Sequence, residues 1–188
     1  MLDQLTNLVK QFGADTVVNN AQIPNEQNEA VMNEASNSIF SGLKDMVSNG
    51  NISDLAGLFQ GNTATDNSNP AVKNITDKLS ENLGNKFGLS PDTSANVANN
   101  LIPQVMGSLV NKAKDPNDSS FQISDIVSAI SGGDSKTGGG IMDAISKYGT
   151  QFGLDQNNDG KVDMSDAMAA VSKKSGGLGG FFNKLMGK

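Results

Sequence analysis

Apolar residues recur three and four positions apart along most of the chain, and alternating apolar and polar runs are hard to find, so the pattern predicts an all-α protein. Leu2, Leu5, Leu8, Val9 and Phe12 mark one face of a first helix. A longer helix is expected from Pro24, a residue suited to a first turn, through Val31, Ala35, Ile39, Leu43 and Val47 to a stop at Asn49-Gly50. Ser53 or Asp54 then caps a short helix carrying Leu55, Leu58 and Phe59. The stretch GNTATDNSNP, from Gly61 to Pro70, holds no large apolar residue and reads as a linker or exposed loop.

Beyond that stretch the pattern recurs. Val72, Ile75, Leu79, Leu83 and Phe87 form a helix, and a long one entered at Ser90-Pro91-Asp92 carries Val97, Leu101, Val105, Met106 and Leu109. Ser124-Asp125-Ile126 opens a short third helix. A shift of 66 residues lays Val31, Ile39, Phe40 and Leu43 on Val97, Val105, Met106 and Leu109. With a further insertion of five residues, Ile52-Ser53-Asp54-Leu55 falls on Ile123-Ser124-Asp125-Ile126. Pro103, inside the second long helix, is expected to kink it.

From Ser131 the run SGGDSKTGGG reads as a flexible joint before a helix through Ile141, Ile145, Tyr148 and Phe152. Met164-Ser165-Asp166 repeats the hydrophobe-Ser-Asp device. The expected organisation is two related three-helix units, residues 1–60 and 71–133, joined by a linker at 61–70. An EF-hand-like helix-loop-helix follows at 134–174, and residues 175–188 form a glycine-rich tail with a short amphipathic helix.

Composition narrows the chemistry. The chain of 188 residues has no Cys, His, Trp or Arg, all 14 basic residues are Lys, and Asn and Gly number 23 and 21. Such a length buries roughly 70% of its unfolded surface without staples. Zinc fingers, iron–sulfur clusters, haem ligation, thiol nucleophiles and Ser-His-Asp triads are excluded outright. A net charge of −6 without Arg weighs against nucleic acid as a partner. The N-terminal MLDQLTNLVKQF, acidic before it is basic, resembles neither a signal nor a transit peptide, and no apolar run is long enough to span a membrane, so the default location is cytoplasmic. Export by a non-classical route stays open.

Residues 155–166 read DQNNDGKVDMSD and carry the one constellation with chemistry in it. Asp155, Asn157 and Asp159 hold the first, third and fifth places of a calcium loop, where a tightly turning chain aims alternate oxygens at one ion. Gly160 takes the sixth, the sharp turn, and Lys161 the seventh, which needs only its carbonyl. Val162 is the apolar eighth, Asp163 the ninth and Asp166 the twelfth. The loop resembles those of EF-hand and dockerin proteins, the dockerin type more closely because it accepts Asp at position twelve. The metal set is therefore Asp155, Asn157, Asp159, Lys161, Asp163 and Asp166, with Ca2+ as the cofactor and Mg2+ as an alternative. The contrasting reading is a calcium-free turn whose Asp and Asn side chains cap the next helix.

Upstream, DPNDSSFQISD at 115–125 looks like a shortened relative of that loop. With one deletion Asp115, Asn117, Asp118, Phe121 and Asp125 align with Asp155, Asn157, Asp159, Val162 and Asp166, but Ser119 replaces the turning glycine, so no second metal is expected. Phe121 is expected to pack beside Val162. Glu26, Glu29 and Glu34 are expected on the wet side of a helix, and the scattered Met residues in the core. The apolar Leu178, Phe181, Phe182, Leu185 and Met186 form either a terminal helix docked on its own domain or a weak membrane-surface contact through residues 178–188.

Gly88-Leu89-Ser90-Pro91-Asp92 and Leu101-Ile102-Pro103-Gln104-Val105-Met106, with Ile123-Ser124-Asp125-Ile126 and the glycine-rich tail, resemble the YidB-like family of uncharacterised bacterial helical proteins. The resemblance covers residues 1–133 and the tail, implies an all-α fold, and carries over no catalytic residue. The functional expectation is a non-enzymatic, calcium-binding structural or interaction module with a protein partner or self-association. The alternatives are a self-assembling oligomer or filament and a metal-free helical scaffold.

Overall fold

The computed structural model describes residues 1–59, 63–115, 118, 120–134 and 136–141, which are helical with no strand among them. Helix α1, Leu2–Gly13, buries Leu5, Leu8 and Val9 while Leu2 remains exposed. A single π turn, Ala14–Val18, widens its end and places Val17 in the core. Pro24 precedes the next helical turn rather than opening it: a 3-10 turn at Asn25–Gln27 leads into α2, Asn28–Ser48.

The stop of α2 is the one expected. Gly50 adopts φ 77°, and the amides of Gly50 and Asn51 bond the carbonyls of Val47 and Met46 at 3.1 and 2.8 Å, which satisfies two terminal carbonyls. Helix α3 spans Ile52–Phe59 and α6 spans Ile123–Ile130, each opening on the isoleucine of its Ile-Ser-Asp sequence. The Ser-Asp pairs thus lie inside the first turn, where Asp54 and Asp125 face the positive end of the helix dipole, instead of standing as caps.

Of the segment read as a linker, residues 63–70 are described. They form a 3-10 turn, Thr63–Thr65, with Ala64 buried, and end on Asn69, whose Oδ1 accepts from the amides of Ala71 and Val72 and starts α4, Pro70–Phe87. Gly88 closes α4 at φ 68°, and Ser90 caps α5, Pro91–Lys114, with Pro91 in its first turn. Helix α5 runs through Pro103. Proline offers no amide to the carbonyl four residues back, and that carbonyl, on Asn99, accepts instead from Asn67 Nδ2 at 3.4 Å.

Helices α1, α2, α4 and α5 form a ring in which α2 lies against α1 and α4, and α5 against the same two. The short α3 and α6 both pack on α2. Side chains from both halves of the described chain, from Leu5 to Ile141, share one hydrophobic cluster. The positions aligned by the 66-residue shift are equivalent in burial at three pairs: Val31 and Val97, Ile39 and Val105, Leu43 and Leu109. At the fourth, Phe40 is half-buried and Met106 buried. Met32, Met46 and Met106 are core residues, as expected.

Two further expectations are corrected. Glu26 and Glu29 are exposed, but Glu34 is buried at the α2–α4 seam, where α4 supplies partners for a carboxylate. The run from Ser131 is a turn with Gly132 and Gly133 at positive φ, and helical backbone resumes at Lys136, before the glycines at 138–140. Asp134 caps that stretch, accepting from the Thr137 amide at 3.0 Å and from the Thr137 hydroxyl.

Candidate functional site

The expected ligands Asp155, Asn157, Asp159, Lys161, Asp163 and Asp166 lie outside the described residues, as do Val162, the anticipated partner of Phe121, and the tail at 178–188. Among the described residues no group of three or more acidic side chains is gathered to hold a metal ion. No described helix is long and apolar enough to cross a membrane.

The shortened relative of the loop is described in part. Asp118, which aligns with Asp159, takes the Lys112 ammonium on Oδ2 at 2.8 Å. Its Oδ1 accepts from the Ser120 amide at 2.9 Å and from the Ser120 hydroxyl. The Lys112 hydrogen bond and those from Ser120 hold the Asp118 carboxyl down at about 2, since each favours the ionised form. One residue on, Phe121 is buried in the core. The Asp118 side chain, whose counterpart in an intact loop faces the metal, thus meets the Lys112 ammonium instead, and the apolar anchor position is buried.

Lys112 and Asp118 also line a cleft of about 440 Å³ where α5 meets α1 and the 3-10 turn. The half-buried Phe12 lines it together with Gln104, Ser108 and Asn111. Gly107 sits against Thr65, where a Cβ would collide with the threonine methyl, so this glycine lets the turn close on α5. The cleft was not anticipated. Its signal in the sequence is the absence of any ionisable residue from Thr93 to Asn111 in an otherwise charged set of helices.

A second polar cluster is internal. Lys86 Nζ lies 2.8 Å from both carboxylate oxygens of Glu34, and Asn82 donates to Oε1 at 2.8 Å and to Ser38 Oγ at 3.3 Å. Every side chain of the set comes from the α2–α4 seam, which identifies it as packing chemistry: its donors are spent on its own acceptors.

A family model described as a bacterial protein of unknown function (DUF937) matches residues 71–186. The match begins in the first turn of α4 and runs past residues 155–166. No curated protein and no solved structure matches the chain.

Proposed function

The chain belongs to this bacterial family of unknown function, and from that premise we propose that it is a non-enzymatic, calcium-binding helical module of structural or interaction type. The observation that carries the reading is the spacing of Asp155, Asn157, Asp159, Asp163 and Asp166, with Gly160 at the turn and Lys161 positioned to give a carbonyl. Four carboxylates within this one loop, opposed by the single Lys161, repel one another unless a cation joins them. Calcium supplies that cation and fixes the angle between the flanking helices; magnesium, which demands tighter octahedral geometry, fits a loop of this length less well.

Support comes from the contrast with the turn at 115–125. There Asp118 is satisfied by Lys112, so that turn holds without metal. At 155–166 one lysine, Lys161, stands against four carboxylates, too few cations to satisfy them without a metal ion. The repeated pattern of the first two thirds, with Ile52–Phe59 and Ile123–Ile130 as matched short helices, supports a duplicated scaffold that carries the loop.

Thermal unfolding of the chelator-stripped protein with calcium and, separately, with magnesium tests this function. Binding to the folded state adds about 2.7 kcal/mol at free calcium one hundred times the dissociation constant. That amounts to a rise in melting temperature of roughly 5–10 °C for a chain of this size if it unfolds as one unit. Equal melting curves in calcium, magnesium and chelator contradict the proposal.

A further inference from the structure

The outer face of α5 is unusual in its chemistry. Asn96, Asn99, Asn100 and Gln104 are exposed, and no charged residue interrupts the helix between Asp92 and Lys112. Nor are these amides disordered in their bonding. Asn99 Nδ2 donates to the Ala95 carbonyl, Asn100 Nδ2 to the Asn96 carbonyl, both at 2.8 Å, and Gln104 Nε2 to the Asn100 carbonyl at 2.7 Å. Each NH2 group is turned back along the helix. Asn96 Oδ1 accepts from Asn100 Nδ2 at 2.7 Å, and the side-chain carbonyl oxygens of Asn99, Asn100 and Gln104 are left as an ordered series of acceptors, continued by the Ser108 hydroxyl and the Asn111 amide into the cleft beside Phe12.

Charge decides what such a surface takes. The one lysine of the cleft is spent on Asp118, and Asp115 adds a further carboxylate, so phosphates and other anions are disfavoured. The exposed amide stripe that leads into the cleft disfavours a lipid or an apolar helix. Neutral amides desolvate at far lower cost than charged groups and return hydrogen bonds to hydroxyl donors. A single ring beside them suits the apolar face of a sugar, while its hydroxyls meet the acceptors.

We infer that the Asn96–Asn111 face of α5 and the cleft at its end bind a neutral oligosaccharide chain. From residue 96 to residue 111 the stripe runs about 22 Å, the length of about four sugar rings. The cleft, at about 440 Å³, receives the terminal ring against Phe12, and its size lies in the usual range of small-molecule sites. This binding is independent of the calcium loop and needs no metal.

The test is a nuclear magnetic resonance titration of the full chain, labelled with nitrogen-15, using maltohexaose, cellohexaose and N-acetylchitohexaose in turn. At least one sugar is expected to give saturable shifts on Asn96, Asn100, Gln104, Ser108 and Asn111. Gln104→Lys and Asn100→Lys, both at exposed positions, are expected to weaken that sugar roughly tenfold, through a lost acceptor and a charge that must be desolvated. Lys78→Gln, in the α2–α4 seam, leaves it unchanged. The inference is overturned if none of the three sugars gives saturable shifts, if the shifts fall elsewhere, or if both lysine variants bind as the parent does. Shifts on the stripe that follow protein concentration instead of sugar also overturn it, in favour of a second copy of the chain.

Discussion

Lys86 reaches across the α2–α4 seam to place its ammonium 2.8 Å from both oxygens of Glu34, a carboxylate whose side chain is only 9% exposed while the lysine is 55% exposed. The asymmetry sets the cost of losing each partner. Lys86→Met leaves a buried carboxylate with only the Asn82 amide, and is expected to destabilise the fold by about 2–3 kcal/mol. Glu34→Gln keeps a polar group in place and frees a lysine that water can solvate, at a cost of about 1 kcal/mol. Urea denaturation of the two variants checks the order; equal losses contradict this reading of the seam.

The same seam is closed by a glycine. A Cβ built on Gly42 of α2 would sit 2.6 Å from Ile75 Cγ1 of α4, too near for any carbon pair. Gly42→Ala is expected to cost about 1–3 kcal/mol through forced separation of the helices. Gly57, in α3, has open space where its Cβ would be, so Gly57→Ala is expected to add about 0.5–1 kcal/mol by helix propensity alone. Opposite signs for the two changes in one denaturation series confirm that packing, not propensity, governs Gly42.

These two sites show where the sequence was legible. Among the described residues the order of the α-helices and most of the buried face followed from spacing, because Leu5, Ile39, Leu79 and Leu109 are buried for the same apolar reason that put them in register. The stop of α2 was punctuated in the sequence by Gly50, a residue that tolerates positive φ. Glu34 was misread because burial of a carboxylate depends on Lys86 and Asn82, some fifty positions away, and no local pattern encodes that pairing. The Ser-Asp pairs lie two or three residues beyond the cap positions, since an acid is favourable both as a cap and in the first turn. The spacing of Asp155, Asn157, Asp159, Asp163 and Asp166 is read from the sequence alone, and the cleft was not legible there, because Phe12, Thr65 and Gln104 meet only through the tertiary fold.

Asp118 makes the acid limb of stability specific. Its folded carboxyl ionises near 2 against an ordinary 3.8, so the unfolded chain binds the proton first as pH falls. The stability it lends is complete above about pH 4 and is lost as pH drops through about 2. Asp66, held low by the Ser68 amide, and Asp134, held low by Thr137, act in the same direction. Carbon-13 titration of the Asp118 carboxyl is expected to give a midpoint near 2, and Lys112→Met to move it up toward the ordinary value. A midpoint near 3.8 in the parent protein contradicts the ion pair.

The central claim concerns the loop at 155–166, and calorimetric titration of the chelator-stripped protein with calcium addresses it most directly, with Asp155→Ala and Asp159→Ala run beside the parent. The account predicts one calcium per chain in the parent and none in either variant, with the turn at 115–125 contributing no second site. Absence of heat at millimolar calcium in the parent, or equal binding by all three proteins, contradicts it.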